Sequence, residues 1–268
     1  MKITLAVLLT TMAVFAQDSA NRVTVPFSDA ARPRNVRGSS INGCFSVEGY
    51  DGKDVIIEPQ AESKGHSVPR TPRNAEGLKR IEPAGVGLSA EEENNTIRIR
   101  TSMNSGEVVV RVPFATSLKL DCTNGGDMKV ARVSGDLDLQ NVNGSVTATN
   151  VSGSIIAHSL NGRVLVTLDK ATAGKPMSFS SLNGDIDVTL PADIKGAVKM
   201  KTDHGDIYSD FDVLLKTDAS PAVVEDGRAK GGKYRVKIDS TTTGTINGGG
   251  PDLNFKTFNG NIYIRKKK

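Results

Sequence analysis

Residues 126–166 read GDMKVARVSGDLDLQNVNGSVTATNVSGSIIAHSLNGRVLV. A glycine recurs in this stretch every nine residues, from Gly126 to Gly162, and asparagine or serine precedes most of these glycines, as turns favour. Apolar residues stand two and four positions after each glycine, mostly with polar residues between them, which is the period-two pattern of a strand with one buried face. Most residues two positions before a glycine are also apolar, and we expect them on the buried face: Val133, Val142, Val151, Leu160, Leu182 and Phe258.

The glycine unit returns later in the chain at spacings that hold two strands. Gly162 and Gly184 are 22 residues apart, and Gly184 and Gly205 are 21 residues apart. A full coil therefore contains about two strands in 18–22 residues, and a near-constant coil length is what stacking requires. On this count, coils begin at Gly106, Gly126, Gly144, Gly162, Gly184 and Gly205. Their first inward residues should form one internal column: Val108, Met128, Val146, Val164, Ile186 and Ile207.

This pattern predicts an all-β fold, a single parallel, right-handed β-helix or solenoid with coils about 4.7–4.9 Å apart. The composition suits such a fold, because 27 glycines allow many tight turns. Only 4% of the residues are aromatic, so the core must consist of small branched side chains. The formal net charge of +4 is too small to indicate a nucleic-acid-binding protein.

The start of the chain has the pattern of an export signal. Lys2 precedes an apolar run from Ile3 to Ala16, and small residues near Ala16 suit cleavage after that position. Residues 1–16 are therefore predicted to be a signal peptide. No later segment is apolar enough to predict a transmembrane helix.

The remaining residues, 17–268, are predicted to form one solenoid domain. Residues 17–105 contain less regular strands, and we expect them to cap the stack, because terminal repeats are usually atypical. Within this part, the polar segment 60–77 is predicted to be an exposed loop. Residues 106–268 should contain the regular coils, interrupted by an insertion at 216–232.

Three motifs together resemble a known family. They are the repeated Ser/Asn-Gly-Asp-Ile-x-Val units, the bend VPFATSLKL at residues 112–120, and the ending GGGPDLNFKTFNGNI at residues 248–262. Over roughly residues 21–265 the chain resembles the bacterial adhesin-like β-solenoid family, whose function is unknown. The resemblance implies export, a parallel β-helix-like fold and an adhesin-like role, with an association of some members with cell-envelope stress. It supplies no catalytic residues.

The two cysteines, Cys44 and Cys122, leave two arrangements open. An oxidising compartment would allow them to form one disulfide. Two separate thiols are equally compatible with the sequence.

The sharpest candidate site is a set of charged residues beside the repeat glycines. Asp185, Asp187 and Asp206 should project outward from neighbouring strands, with Arg163 one coil before Asp185. Three carboxylates could hold Ca²⁺, and the adjacent arginine resembles the arrangement in polysaccharide lyases built on β-helices. The alternative is an Arg163–Asp185 pair on a solvated face, which we favour because aspartate is common beside glycine in turns. The sequence therefore predicts no metal and no cofactor.

Other polar residues show weaker patterns. An exposed ladder of asparagine amides could bind sugars, or the asparagines could simply form the turns; they are Asn143, Asn161, Asn183 and Asn259. His66, His158 and His204 lie in unrelated segments without metal-ligand spacing. No Gly-x-Ser-x-Gly elbow, phosphate loop or dinucleotide fingerprint is present.

Together these features predict a non-enzymatic, exported envelope or surface protein, an adhesin-like scaffold or binding module with a possible link to envelope stress. Its expected partner is a cell-envelope polymer or protein, and not a nucleic acid. The alternative hypothesis is a Ca²⁺-dependent, polysaccharide-lyase-like β-helix enzyme that uses the cluster around Asp185.

Overall fold

The computed structural model describes residues 22–60, 87–101, 106–216, 223–226, 234–237 and 241–268. Within these ranges all regular secondary structure is β-strand, and no helix is long and apolar enough to cross a membrane. The predicted signal peptide, nearly all of the predicted loop 60–77 and most of the predicted insertion 216–232 lie outside the described residues.

The strands form two large sheets. Sheet A contains ten strands, in the spatial order β1 (Val23–Val25), β4 (Val55–Pro59), β7 (Val108–Pro113), β3 (Phe45–Tyr50), β9 (Met128–Ala131), β11 (Val146–Gly153), β13 (Val164–Ala171), β15 (Ile186–Leu190), β23 (Ile262–Lys266) and β17 (Ile207–Ser209). Sheet B contains eleven, in the order β18 (Val213–Leu215), β21 (Thr242–Ile246), β16 (Gly196–His204), β22 (Asp252–Asn259), β14 (Met177–Ser181), β12 (Ile155–Asn161), β10 (Leu137–Asn143), β8 (Thr116–Asn124), β2 (Arg34–Asn42), β6 (Thr96–Thr101) and β5 (Leu88–Glu93). A separate antiparallel pair joins β19 (Val223–Asp226) to β20 (Tyr234–Lys237).

Each coil consists of one sheet B strand followed by one sheet A strand. Between residues 116 and 190, the coils β8–β9, β10–β11, β12–β13 and β14–β15 stack in chain order, and all their pairings are parallel. Val146 lies in register with Met128 on one side and Val164 on the other, and all three side chains are buried. The nine-residue unit is therefore half a coil, as the later glycine spacing predicts.

The first and last coils enter the stack at positions that chain order does not suggest. Strands β2 and β3 lie between β6–β7 and β8–β9, with Phe45 in register with Val108. Strands β22 and β23 lie between β14–β15 and β16–β17, so Ile262 separates Ile186 from Ile207. The predicted internal column from Val108 to Ile207 is therefore correct in its residues but incomplete, because Phe45 and Ile262 are inserted into it.

Residues 17–105, which the sequence predicts to cap the stack, contribute strands to two places. Strands β1, β4 and β5 lie at one end of the stack, where antiparallel pairing replaces parallel pairing. Strands β2 and β3, from the same part of the chain, are interior instead. Each of these two strands pairs in parallel with a strand on both sides. At the other end, β21 pairs antiparallel with both β16 and β18.

The core between the two sheets is made of inward-facing residues from every coil. Most of these side chains are aliphatic and fully buried, with a few rings such as Phe179 and Phe255, which stack with their centroids 5.2 Å apart. This aromatic contact joins the inserted coil β22–β23 to the coil β14–β15. Two of the few aromatic residues of the chain therefore help to fix the position of an inserted coil.

We call the turn from sheet B to sheet A within each coil the glycine corner. At Gly144 the backbone has φ = 145°, and an added Cβ atom would collide with the carbonyl oxygen of Gly126 in the neighbouring coil. The same close approach to a glycine of the neighbouring coil recurs along the corner, at Gly125, Gly162, Gly184, Gly260 and Gly205. The glycines from Gly126 to Gly205 at which the coils were counted therefore form one row, which also includes glycines of the inserted coils. Glycine is needed here because coil backbones touch at van der Waals distance.

A disulfide joins Cys44 to Cys122, with the two Cα atoms 5.5 Å apart. Of the two arrangements compatible with the sequence, the structure contains the bridge. Cys44 directly precedes β3 and Cys122 lies in β8, so the bond ties the inserted coil β2–β3 to the neighbouring coil β8–β9.

Candidate binding surface

The predicted carboxylate cluster is divided by an inserted strand. Asp185 and Asp187 belong to the coil that contains β15, whereas Asp206 precedes β17, and β23 lies between these two strands. Asp185 accepts a hydrogen bond from the backbone N–H of Asn261 at 2.8 Å, and the Asn261 side chain accepts one from the backbone N–H of Asp206 at 2.8 Å. The Asp185 carboxylate is therefore engaged with the backbone of the inserted coil, and the three carboxylates do not face one another across adjacent coils.

Asp187 is paired with an arginine that sequence reasoning did not select. Arg265, on the inserted strand β23, binds Asp187 through two hydrogen bonds of 2.7 and 2.9 Å. Within the part of the chain that the structure describes, Arg163 forms no ion pair with Asp185. The cross-strand ion pair on this face joins Arg265 to Asp187 instead. Groups of three or more histidine, cysteine or acidic residues that could hold a metal ion are likewise not found in the described part of the chain.

Two tyrosines stack beside this ion pair at the end of sheet A. The rings of Tyr208 and Tyr263 are nearly parallel, with centroids 5.2 Å apart, and the Arg265 guanidinium lies 5.3 Å from the Tyr263 ring centroid. The negative charge of Asp206, 3.4 Å from the Tyr208 hydroxyl, raises the pKa of that tyrosine. The charged residues of the candidate cluster are therefore parts of a surface network whose contacts fix the position of β23.

Asparagine side chains form a hydrogen-bonded ladder along the glycine corner. In each step an Nδ2 atom donates to the Oδ1 atom of the neighbouring coil over 2.7–2.9 Å. The ladder contains Asn124, Asn143, Asn161, Asn183 and Asn259. Asn42 lies in register with Asn124 at one end, and His204 lies in register with Asn259 at the other. The asparagines of the repeat are therefore both turn residues and a continuous surface feature.

A second polar column lies just inside this ladder. Ser159 donates its hydroxyl to the carbonyl of Gly144 at 2.8 Å, and Ser181 donates to Gly162 at 2.9 Å. Equivalent bonds from the same position in other coils are made by Asn141, Thr257 and Thr202. Because these side chains point inward, strand alternation turns the residue that follows each of them toward solvent.

This alternation corrects the expectation that all residues two positions before a glycine are buried. At the glycine corner Val142, Leu182 and Phe258 are 36%, 40% and 43% exposed. Val133 and Val151, which precede glycines at the opposite corner, are buried as expected. The inward hydrogen bonds of the polar column are the cause, and the repeat pattern alone did not reveal them.

The apolar residues that follow the polar column form a row beside the asparagine ladder. Ile41, Val142, Leu182 and Phe258 are exposed in this row, Leu160 is half-buried, and Thr123 interrupts it. We call the row and the ladder together the amide–apolar strip; it consists of residues 41–42, 123–124, 142–143, 160–161, 182–183 and 258–259. None of these residues carries a charge, although 24% of the chain is charged. The strip ends at the coil β16–β17, where Asp203 and His204 occupy the two positions.

The opposite corner is less regular and contains a pocket of about 550 Å³. Three turns between coils surround it, at residues 169–175, 191–195 and 249–251, above a floor that includes Met177 and Leu253. Lys267 binds Asp169 at the rim, at 2.7 Å. A shallower groove of about 380 Å³ lies over sheet B, between Arg37 and Pro176.

On sheet B, the surroundings of two neighbouring carboxyl groups shift their pKa values in opposite directions. Lys119 lies 2.5 Å from Asp138, in the next coil. Burial opposes ionisation of Asp138, but hydrogen bonds from Lys119 and Gln140 outweigh it and lower its pKa. Burial dominates for Asp121 and raises the pKa of that carboxyl group. Such shifts at a half-buried sheet surface are the ordinary consequence of packing and pairing.

A family model and two solved structures are similar to this chain. The family model described as Toastrack DUF4097 matches residues 88–247. Among solved structures, a "putative cell adhesion protein" from Clostridium sporogenes aligns with 12% identity and a TM-score of 0.47, covering 92% of this chain and 99% of that one. A "putative adhesin" from Bacteroides fragilis aligns with 13% identity and a TM-score of 0.38, covering 93% and 98%. No curated protein matches the sequence.

Proposed function

We propose that this chain, which belongs to the Toastrack DUF4097 family, is an exported, non-enzymatic scaffold that binds a cell-envelope component through the amide–apolar strip. The resemblance to adhesin-like β-solenoid proteins supports a surface role, and cell-envelope stress is the context that the resemblance implies. Lys2 and the apolar run to Ala16 support export. The disulfide between Cys44 and Cys122 fits an oxidising compartment outside the cytoplasm.

The observation that carries the proposal is the strip itself. Exposed apolar side chains that recur at one position on successive coils are not explained by the core, because they point away from it. Contiguous exposed apolar surface bounded by polar groups is typical of interaction sites. The strip also lies on a corner that inter-coil hydrogen bonds fix in place, so a partner would meet a preformed surface.

The shape of a rigid coil stack suits this role. We propose that the coils wind in the right-handed sense, because crossover connections between parallel strands are right-handed in nearly all proteins. Such a stack presents one long, straight edge. A long edge favours a broad contact with an extended partner over a concave chemical centre.

The test is retention of the mature chain on cell-envelope preparations of the producing organism. Leu182→Ser combined with Phe258→Ser removes two exposed apolar groups from the strip, and the matched control combines Leu165→Ser with Ile156→Ser, whose parent residues are 41% and 49% exposed elsewhere on the sheets. We expect the strip variant to lose most of its retention and the control to keep it. Equal retention of the two variants would contradict the proposal.

A further inference from the structure

We propose that the ligand of the amide–apolar strip is an extended, neutral polysaccharide chain lying along the stack. This inference rests on the proposed function of the strip and adds the chemical class of its partner. Its support comes from the hydrogen-bonding capacity, the apolar row, the absence of charge and the repeat distance of the strip.

The ladder leaves hydrogen-bonding capacity unused on its central rungs. Asn161 donates one N–H to Asn143 and accepts one bond at Oδ1 from Asn183. A primary amide has two N–H donors and an oxygen with two lone pairs, so one donor and one acceptor remain on this side chain. Asn143 and Asn183 have the same arrangement. A row of donor–acceptor pairs on fixed side chains is complementary to sugar hydroxyl groups, each of which both donates and accepts.

The apolar row supplies the other half of a sugar-binding surface. Val142, Leu182 and Phe258 expose 36–43% of their surface directly beside the amides. A pyranose ring has C–H faces that pack against apolar side chains while hydroxyl groups at its edge reach polar partners. The ring of Phe258 is held edge-on by His204, with the centroids 5.1 Å apart, so the largest apolar group of the row is also positioned.

The absence of charge on the strip argues against an anionic ligand. None of the residues that form the strip is charged, whereas a binding site for an anionic polymer would place lysine or arginine among them. At the positions of the strip, the next coil carries Asp203, while beyond the corner glycines Asp127, Arg163 and Asp185 are of mixed sign. A neutral partner is therefore favoured over a uronate polymer or a nucleic acid.

The geometry of the strip suits a polymer. Successive rungs are separated by the spacing of parallel strands, about 4.8 Å, which is close to the length of one sugar residue in an extended glycan. The strip has six rungs, from the coil of β2 to the coil of β22. A chain running parallel to the stack axis would therefore place successive sugars against successive rungs.

The experiment is titration calorimetry of the mature chain with cellohexaose and chitohexaose, each compared with its trisaccharide, and with polygalacturonate as the anionic comparison. We expect at least one hexasaccharide to bind about tenfold more tightly than its trisaccharide, because it contacts more rungs. Leu182→Ser with Phe258→Ser should weaken binding about tenfold, and Leu165→Ser with Ile156→Ser should change it less than about twofold. Melting curves of both variants establish that each is folded at the assay temperature.

Three outcomes would overturn the inference. Neither hexasaccharide binds; or polygalacturonate binds and the neutral glycans do not; or binding is equally weakened in the strip variant and the control. Failure here is distinguishable from failure of the proposed function, because retention on envelope preparations that depends on the strip, together with no glycan binding, would leave a protein partner as the ligand. Self-association lost in the strip variant, without glycan binding, would likewise replace the glycan by a second copy of the chain.

Discussion

The coils between residues 116 and 190 stack in the order in which the chain makes them, whereas the coils of residues 34–50 and 252–266 are each inserted between two others. All of them use the same parallel pairing and the same columns of buried residues. The comparison shows that the repeat defines the geometry of a coil but not its place in the stack. Any coil with the right edges and inward residues fits next to any other.

The position of each inserted coil in the stack is instead decided by contacts that the other coils lack. The N-terminal inserted coil is tied to its neighbour by the bond between Cys44 and Cys122. The C-terminal inserted coil is held by the stacked rings of Phe179 and Phe255 and by the bidentate pair of Arg265 with Asp187. These contacts connect residues far apart in sequence, so we expect them to make the inserted coils unfold together with the rest of the stack.

The largest effect is expected from a charge placed in the core of either kind of coil. Val146→Asp in a central coil and Ile262→Asp in an inserted coil should each cost more than about 4 kcal/mol and unfold the stack, because both parent side chains are fully buried. Leu165→Asp, at an exposed position, should cost less than about 1 kcal/mol. Chemical denaturation measures all three. Local fraying with Ile262→Asp, in place of global unfolding, would mean that the last coil is a cap.

Loss of the disulfide should give the next largest effect. Cys44 and Cys122 are 78 residues apart, and opening a loop of that length costs about 4 kcal/mol by the chain-entropy estimate. Chemical denaturation with and without reductant measures the difference. Cys44→Ala combined with Cys122→Ala should have about the stability of the reduced wild type in both conditions and show no response to reductant. An unchanged wild-type stability after full reduction would show that the inserted coil does not depend on the bond.

The asparagine ladder should show a graded effect between the middle and the end of the ladder. Asn161→Ala removes two ladder hydrogen bonds, whereas Asn259→Ala removes one. With a net contribution of about 0.5–1.5 kcal/mol for each bond, the central substitution should cost about twice as much as the terminal one. Melting temperatures of the two variants provide the measurement. Equal losses would indicate that the asparagines act only as turn residues.

The smallest effects should come from single carboxylates on the central coils. The raised pKa of Asp121 means that the folded state holds its proton more tightly than the unfolded chain, so at neutral pH the charged form costs stability. Asp121→Asn should therefore stabilise slightly at pH 7, since solvent screens a partly exposed carboxylate, and lose this advantage as the pH falls below the ordinary pKa of aspartate. Asp138→Asn should destabilise at pH 7, because the lowered pKa of Asp138 contributes stability that disappears as the pH falls. The same sign for both substitutions would contradict this account.

Sequence reasoning reached the family, the all-β class, the two-strand coil and the row of glycines, because each depends on a local, periodic pattern. It missed strands β2 and β5, whose segments Arg34–Asn42 and Leu88–Glu93 are too polar to show clear alternation. It could not place the terminal coils, because the repeat makes all coil edges alike. It also placed Asp187 and Asp206 on neighbouring strands, since no local pattern indicates that strand β23 lies between β15 and β17.

The candidate surface was only half visible in the sequence. The asparagines were noticed because they precede glycines, but Val142, Leu182 and Phe258 were assigned to the core on the strength of their hydrophobicity. Their exposure depends on the preceding residues, such as Ser159 and Ser181, which turn inward to bind glycine carbonyls. A signal was present, since a polar residue recurs three positions before each of these glycines. Its meaning required the structure.

The insertion of the last coil is tested most directly by cross-linking on sheet B. Asn254 lies in register with both Ser178 and Lys199, so it separates the other two residues. Cysteines introduced as Ser178→Cys with Asn254→Cys should be about 5 Å apart and react rapidly with a short thiol-specific cross-linker, whereas Ser178→Cys with Lys199→Cys should be about 10 Å apart and react poorly. Non-reducing electrophoresis and mass spectrometry quantify both products. Efficient cross-linking of positions 178 and 199, with little of 178 and 254, would show that the coils stack in chain order and would contradict the account.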